Sequence, residues 1–181
     1  MEFVMSIKNS RLLFAVRCLI PLFLTLCWLA FIYGNSLKTG EQSSVQSGKV
    51  HEVVNEVAHS IGIEKPISEH AVRKSAHFLE FAVLGCLICV DLWAFRLVSL
   101  RKKLHISLLF SLIALPACAF FAGIDELLQK TAKGRGPSFL DVLIDTSGAA
   151  TAILLFALGF SILYTVSIRS RKKNKSSDRA N

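Results

Sequence analysis

Apolar residues in this chain are gathered into four long blocks, and polar residues are pushed to the ends of those blocks or between them. Residues 12–33, 75–95, 104–124 and 140–166 each supply, or nearly supply, the ~20 apolar positions that a helix needs to cross a hydrocarbon layer. Pro21 and Pro116 fall inside the first and third blocks, where membrane helices accommodate proline as a kink. The pattern predicts an all-α integral membrane bundle of four transmembrane helices.

A different period fills part of the first connection, residues 34–74. Val50, Val53, Val54, Val57, Ala58 and Ile61 recur at helical spacing, with Glu52, Asn55, Glu56 and His59 on the other side. This predicts a short amphipathic helix, lying on the membrane surface or capping the bundle. "EKPIS" ends it, and Ser68 is the predicted N-cap of a helix that runs into the second span. The first block follows Lys8 and Arg11 as a secretion signal would, but it is longer than an h-region and no small-residue cleavage site follows. It reads as an uncleaved span. The organisation is then a short N-terminal segment (1–11), a membrane domain (12–166) and a basic tail (167–181) predicted to be disordered.

Composition agrees with the pattern. Hydrophobic residues make up 52% and charged residues 19%, below the about 25% usual for soluble domains. The five cysteines all lie inside apolar blocks, and Cys86-x-x-Cys89 has no second pair; they are expected as packing residues. The net charge of +8 gathers at block ends, so no nucleic-acid partner is expected. With the N-terminus inside, thirteen Lys and Arg fall on the cytoplasmic side and eight outside. The basic connection "RLVSLRKK" carries no acid. The positive-inside rule then places both termini in the cytoplasm and the stretch between the third and fourth spans outside.

The outer ends of the second, third and fourth spans hold the polar residues that most need explaining. "RKSAHFLEF" brings Arg73, His77 and Glu80 onto one helix face, with Lys74 at its edge. "GIDELLQ" places Asp125, Glu126 and Gln129 at the end of the third span; "KGRGPS" is a turn carrying Arg135 between glycines, with Pro137 after it. Ser138 and Asp141 resemble a capping box. Asp145 shares Asp141's face but lies too deep to cap, and Gly148 continues that face as a close-approach position. Asp91, near the opposite end of the second span, is expected at the interface. Ionisable groups at membrane depth pair, line cavities or do chemistry.

Three arrangements fit these residues. His77, Glu126, Asp141 and Asp145 could ligate a divalent cation, with oxygen ligands favouring magnesium, calcium or manganese and histidine admitting zinc. Lys74 and Arg135 could grip a phosphate, with Gln129 and Ser138 as further binding groups. Or the acids and bases could neutralise one another in a structural network.

Lys74, His77, Phe81, Asp125, Glu126, Gln129, Arg135, Ser138, Asp141, Asp145 and Gly148 in this order resemble the VanZ-like family of bacterial membrane proteins. The resemblance covers roughly residues 34–166. The family commonly has Tyr at the place of Phe81 and Asn at that of Asp145. The resemblance implies a multi-pass protein of the bacterial inner membrane and cell envelope, whose founding member is associated with resistance to the glycopeptide teicoplanin. Membrane lipids are the expected partners, and the expected function is binding or modification of a lipid-linked or cell-wall component that influences glycopeptide susceptibility. His77, Glu80, Asp125, Glu126 and Asp141 are the candidate catalytic residues if the chain is a metal-dependent hydrolase or transferase acting on a lipid-linked phosphate or ester. A non-catalytic structural or partner-binding module is the alternative.

Overall fold

The computed structural model describes residues 2–95, 103–136 and 138–177. Within them the chain forms five helices: α1 (Glu2–Ser36), α2 (Gly40–Ser60), α3 (Glu69–Ala94), α4 (Lys103–Thr131) and α5 (Phe139–Ser177). The connection at 96–102, with its predicted basic cluster, lies outside the described residues, as do Pro137 and the last four residues. Four segments are long and apolar enough to cross a membrane: Leu13–Ser36, Glu69–Ala94, Leu112–Thr131 and Phe139–Leu163. The four-span, all-α expectation is borne out. Pro21 and Pro116 both lie within helices.

Helix ends depart from the apolar blocks for physical reasons. The third block stops at Ile124, yet α4 runs on to Thr131, because Asp125, Glu126 and Gln129 are buried against neighbours and not released into a loop. The amphipathic helix begins well before Val50. Thr39 accepts from the Gln42 backbone and the Gln42 side chain accepts from the Thr39 N–H, a full capping box that starts α2 at Gly40. At the other end α5 continues to Ser177, into the basic stretch predicted as disordered. Lys and Arg are good helix formers, and extending an existing helix is far easier than nucleating one. Ser68 caps α3 as expected, accepting from the Ala71 N–H.

α3 is the central helix and packs against each of the other four, most extensively α5. Small residues set that contact. A Cβ on Gly85 would lie 2.9 Å from the Ala149 carbonyl oxygen, and one on Gly148 would overlap the Phe78 carbonyl. Backbones meet this closely only where side chains are absent, the usual device of membrane helices. Around the crossing Ile32, Phe81, Leu84, Cys89, Cys118 and Ile153 form the apolar core. Leu19, Phe23, Leu26, Leu154, Leu155 and Leu158 point away from it and are more than half exposed, which suits hydrocarbon as the surrounding solvent.

The cysteines are free among the described residues; Cys89 is buried and Cys86 exposed. Asp91, in the last turn of α3, faces α1, where the Thr25 hydroxyl donates to its carboxylate at 2.7 Å; a partly buried carboxylate needs such a donor.

α2 turns its polar groups onto the connection to α3. The Asn55 amide holds the backbone of Ile67 in both directions, Nδ2 donating to its carbonyl at 3.2 Å and Oδ1 accepting its N–H at 2.7 Å. His51 Nε2 lies 2.7 Å from the same carbonyl. Val53, Val57 and Ile61 remain exposed on the opposite side. The helix therefore packs on the start of α3 with one face and leaves these apolar residues exposed on the other.

Candidate functional site

The α4–α5 turn folds back over the α1–α2 junction. Gly134 adopts φ +80°, a conformation glycine takes at little cost. The Gly40 N–H donates to the Lys133 carbonyl at 3.0 Å, and a Cβ on Gly40 would lie 2.9 Å from the Gly134 oxygen. This contact carries Arg135 inward. Its guanidinium donates to the Ser36 carbonyl (3.2 Å) and to Ser43 Oγ (2.6 Å). Burial first, and then the neighbouring Arg73, push Arg135 below the ordinary arginine pKa.

Beneath the turn lies a cavity of about 260 Å³ whose walls include Arg73, Lys74, His77, Gln129, Arg135, Asp141 and Asp145. Lys74 pairs with Asp141 at 2.8 Å. Among the described residues, neither Arg73 nor Arg135 makes an ion pair with a carboxylate. Two guanidinium groups therefore border one polar cavity.

Two of the three buried acids, Asp125 and Asp145, lie deeper in the bundle beside His77. Asp125, fully buried, accepts from Ser36 Oγ at 2.5 Å and from Gln129 Nε2 at 2.8 Å. Asp145 is 1% exposed, and among the described residues neither of its oxygens has a hydrogen-bond partner. His77 Nδ1 faces both, 4.0 Å from Asp125 Oδ2 and 3.8 Å from Asp145 Oδ1.

The structure thus gathers most of the residues picked from sequence but divides them. Lys74, His77, Gln129, Arg135, Asp141 and Asp145 share the cavity, and Asp125 stands behind it. Glu80 turns aside to accept from Asn35 Nδ2 at 3.1 Å. It lines a smaller cavity of about 100 Å³ that shares Arg73, His77 and Arg135 with the first. Glu126 accepts the Ser138 N–H, so these two tie α4 to the start of α5 and do not line the main cavity. That bond also corrects the expected capping box: the Asp141 carboxylate goes to Lys74, and the acid serving Ser138 comes from across the hairpin.

The ligand set read from sequence, His77, Glu126, Asp141 and Asp145, is not the one brought together. Asp125 stands with His77 and Asp145, while Glu126 and Asp141 have partners of their own. Phe81 is wholly buried in the apolar core, where a ring packs and does no proton chemistry.

Sequence reasoning missed Ser36, Asn35 and Ser43, and set Arg73 aside. A cue existed in "YGNSLKTGEQ": its polar residues follow an apolar block directly, and Thr39 and Gln42 carry capping-box spacing.

Comparison with known proteins adds one finding. The profile of the family described as VanZ/LLP1 matches residues 21–163. No curated protein and no solved structure matches the chain. The matched stretch includes the cavity, Asp125, Asp145 and all or most of each of the four spans, and the chain belongs to the VanZ/LLP1 family of membrane proteins.

Proposed function

We propose that this protein binds the phosphate-bearing head group of an envelope lipid or lipid-linked cell-wall component in the cavity beneath the α4–α5 turn. The observation that carries this reading is the pair of arginines, Arg73 and Arg135, bordering the cavity without carboxylate partners. Arginine's planar fork matches phosphate oxygens two at a time. A lipid as the carrier is favoured by an apolar groove of about 340 Å³, lined by Lys74, Ser75, Phe78, Leu79 and Ile144. Lys74 and Ile144 belong to both groove and cavity, so a head group in one leaves room for a chain in the other.

The distribution of Lys and Arg, thirteen against eight, supports an inner-membrane orientation with both termini cytoplasmic and the cavity outward. A reporter inserted after Lys133 should signal from the outer side; a cytoplasmic signal would invert this map.

Binding is tested by native mass spectrometry of the detergent-purified chain titrated with phosphatidic acid or with diacylglycerol of the same acyl chains. Phosphatidic acid should bind one to one and diacylglycerol far more weakly. Replacing both arginines by glutamine should weaken the phosphatidic acid complex by about 10- to 100-fold, on the scale of one or two lost charge-assisted bonds. Equal binding of the uncharged lipid, or an unaffected double variant, would sink the reading. Through such a ligand the chain alters glycopeptide susceptibility, and the double variant should abolish any shift in the teicoplanin concentration that stops growth.

A further inference from the structure

Asp125 and Asp145 are not explained by phosphate binding, since a carboxylate repels that ligand. Asp125 is held on two sides, by Ser36 and Gln129. Among the described residues, Asp145 is not held at all. Both its oxygens are buried without a partner, although such groups in folded proteins nearly always have one. The imidazole between them is no substitute, because 3.8 and 4.0 Å are too long for hydrogen bonds.

That spacing has a use. His77, Asp125 and Asp145 each offer one ligand atom, and the three atoms lie within 4.8 Å of one another. With two edges of 4.0 and 3.8 Å and a third of at most 4.8 Å, an equidistant point lies about 2.3–2.5 Å from each corner, within a few tenths of an ångström of the bond lengths of divalent cations with oxygen and imidazole ligands. The orientation of Asp125 by Ser36 and Gln129 is the kind of outer support that metal-ligating carboxylates receive. His77 and Asp145 also line the cavity, so further coordination positions would open toward it. We propose that His77 Nδ1, Asp125 Oδ2 and Asp145 Oδ1 form a binding site for one divalent cation.

One imidazole with two carboxylates suits zinc or manganese better than calcium, which prefers an all-oxygen shell. The cation gives Asp145 the partner it lacks and lets two neighbouring carboxylates ionise together. The site needs only protein ligands, so it stands or falls separately from the lipid reading.

The probes are zinc and manganese alone. Chain purified in detergent is stripped with a chelator, dialysed against each ion in turn and desalted; retained metal is counted and thermal unfolding is followed. The full chain should retain about one equivalent of at least one ion, with a rise in Tm. Asp145→Asn, nearly isosteric, should weaken that ion's binding at least 10-fold and lose the rise. It should also make the stripped chain no less stable than the parent, since it removes a buried, unpartnered carboxylate. His77→Gln should lose the metal as well, while Asp91→Asn, whose carboxylate faces Thr25, should keep it. Failure of the parent chain to retain either ion would overturn the site. So would unchanged retention in Asp145→Asn and His77→Gln, or an equal loss in Asp91→Asn.

Discussion

Gly148→Leu should sharply lower both the amount and the thermal stability of folded protein in the membrane. A Cβ alone at this position would overlap the Phe78 carbonyl oxygen and crowd its Cα at 3.1 Å, and leucine adds three more carbon atoms. The obstacle is backbone, which cannot rotate away as a side chain can. α3 and α5 would have to separate, and theirs is the most extensive helix contact in the bundle. Overpacking usually costs about 1–3 kcal/mol. Here the cost falls at or above the top of that range, a large share of the ~5–15 kcal/mol that holds a typical domain folded. Gly159 provides the control, since among the described residues nothing lies within 4 Å of a Cβ built there. Gly159→Leu should retain parental abundance and Tm in detergent, while Gly148→Leu loses both. Equal abundance of the two variants would show that the close crossing does not hold the fold.

Asp125→Ala should be the most damaging single change among the polar residues. It strands the Ser36 hydroxyl and the Gln129 amide, both buried, and a buried group left without its partner costs about 1–3 kcal/mol. It also cuts the tie between α1 and α4 next to Arg135, whose guanidinium rests on the Ser36 carbonyl. Some of this loss is offset because a buried carboxylate is itself costly to keep, so the net expectation is about 2–4 kcal/mol. Asp125→Asn keeps the shape and an acceptor for Ser36, and should cost less than half as much. Thermal unfolding in detergent ranks the two. An alanine variant as stable as the parent would mean that the Ser36–Asp125–Gln129 chain contributes nothing.

These cases show what could be read from sequence and what could not. The spans were legible because hydrocarbon imposes length and apolarity on any crossing helix. Gly148 was legible as a close-approach position from its place on the Asp141–Asp145 face, though nothing in the sequence named Phe78 as what it meets. The meeting of α3 with the α4–α5 hairpin followed from placing polar residues at one end of a bundle. Partner choice was not legible. Asp125 and Glu126 are adjacent in sequence, yet one turns inward to Ser36 and Gln129 while the other crosses to Ser138. Adjacent helical residues differ by about 100°, and only the tertiary arrangement decides which neighbour each meets. Ser36 and Ser43 were missed because a serine just after an apolar block, or within a polar run such as "EQSS", carries no pattern of its own. Their role depends on a glycine turn nearly a hundred residues later in the chain.

The most direct test of the central claim is an experimental structure of the chain in nanodiscs of phosphatidic acid. A lipid phosphate should lie between the guanidinium groups of Arg73 and Arg135, with its acyl chains leaving past Lys74 and Ile144 between α3 and α5. A structure in which both arginines instead pair with protein carboxylates, and the cavity between them holds no lipid phosphate, would contradict it.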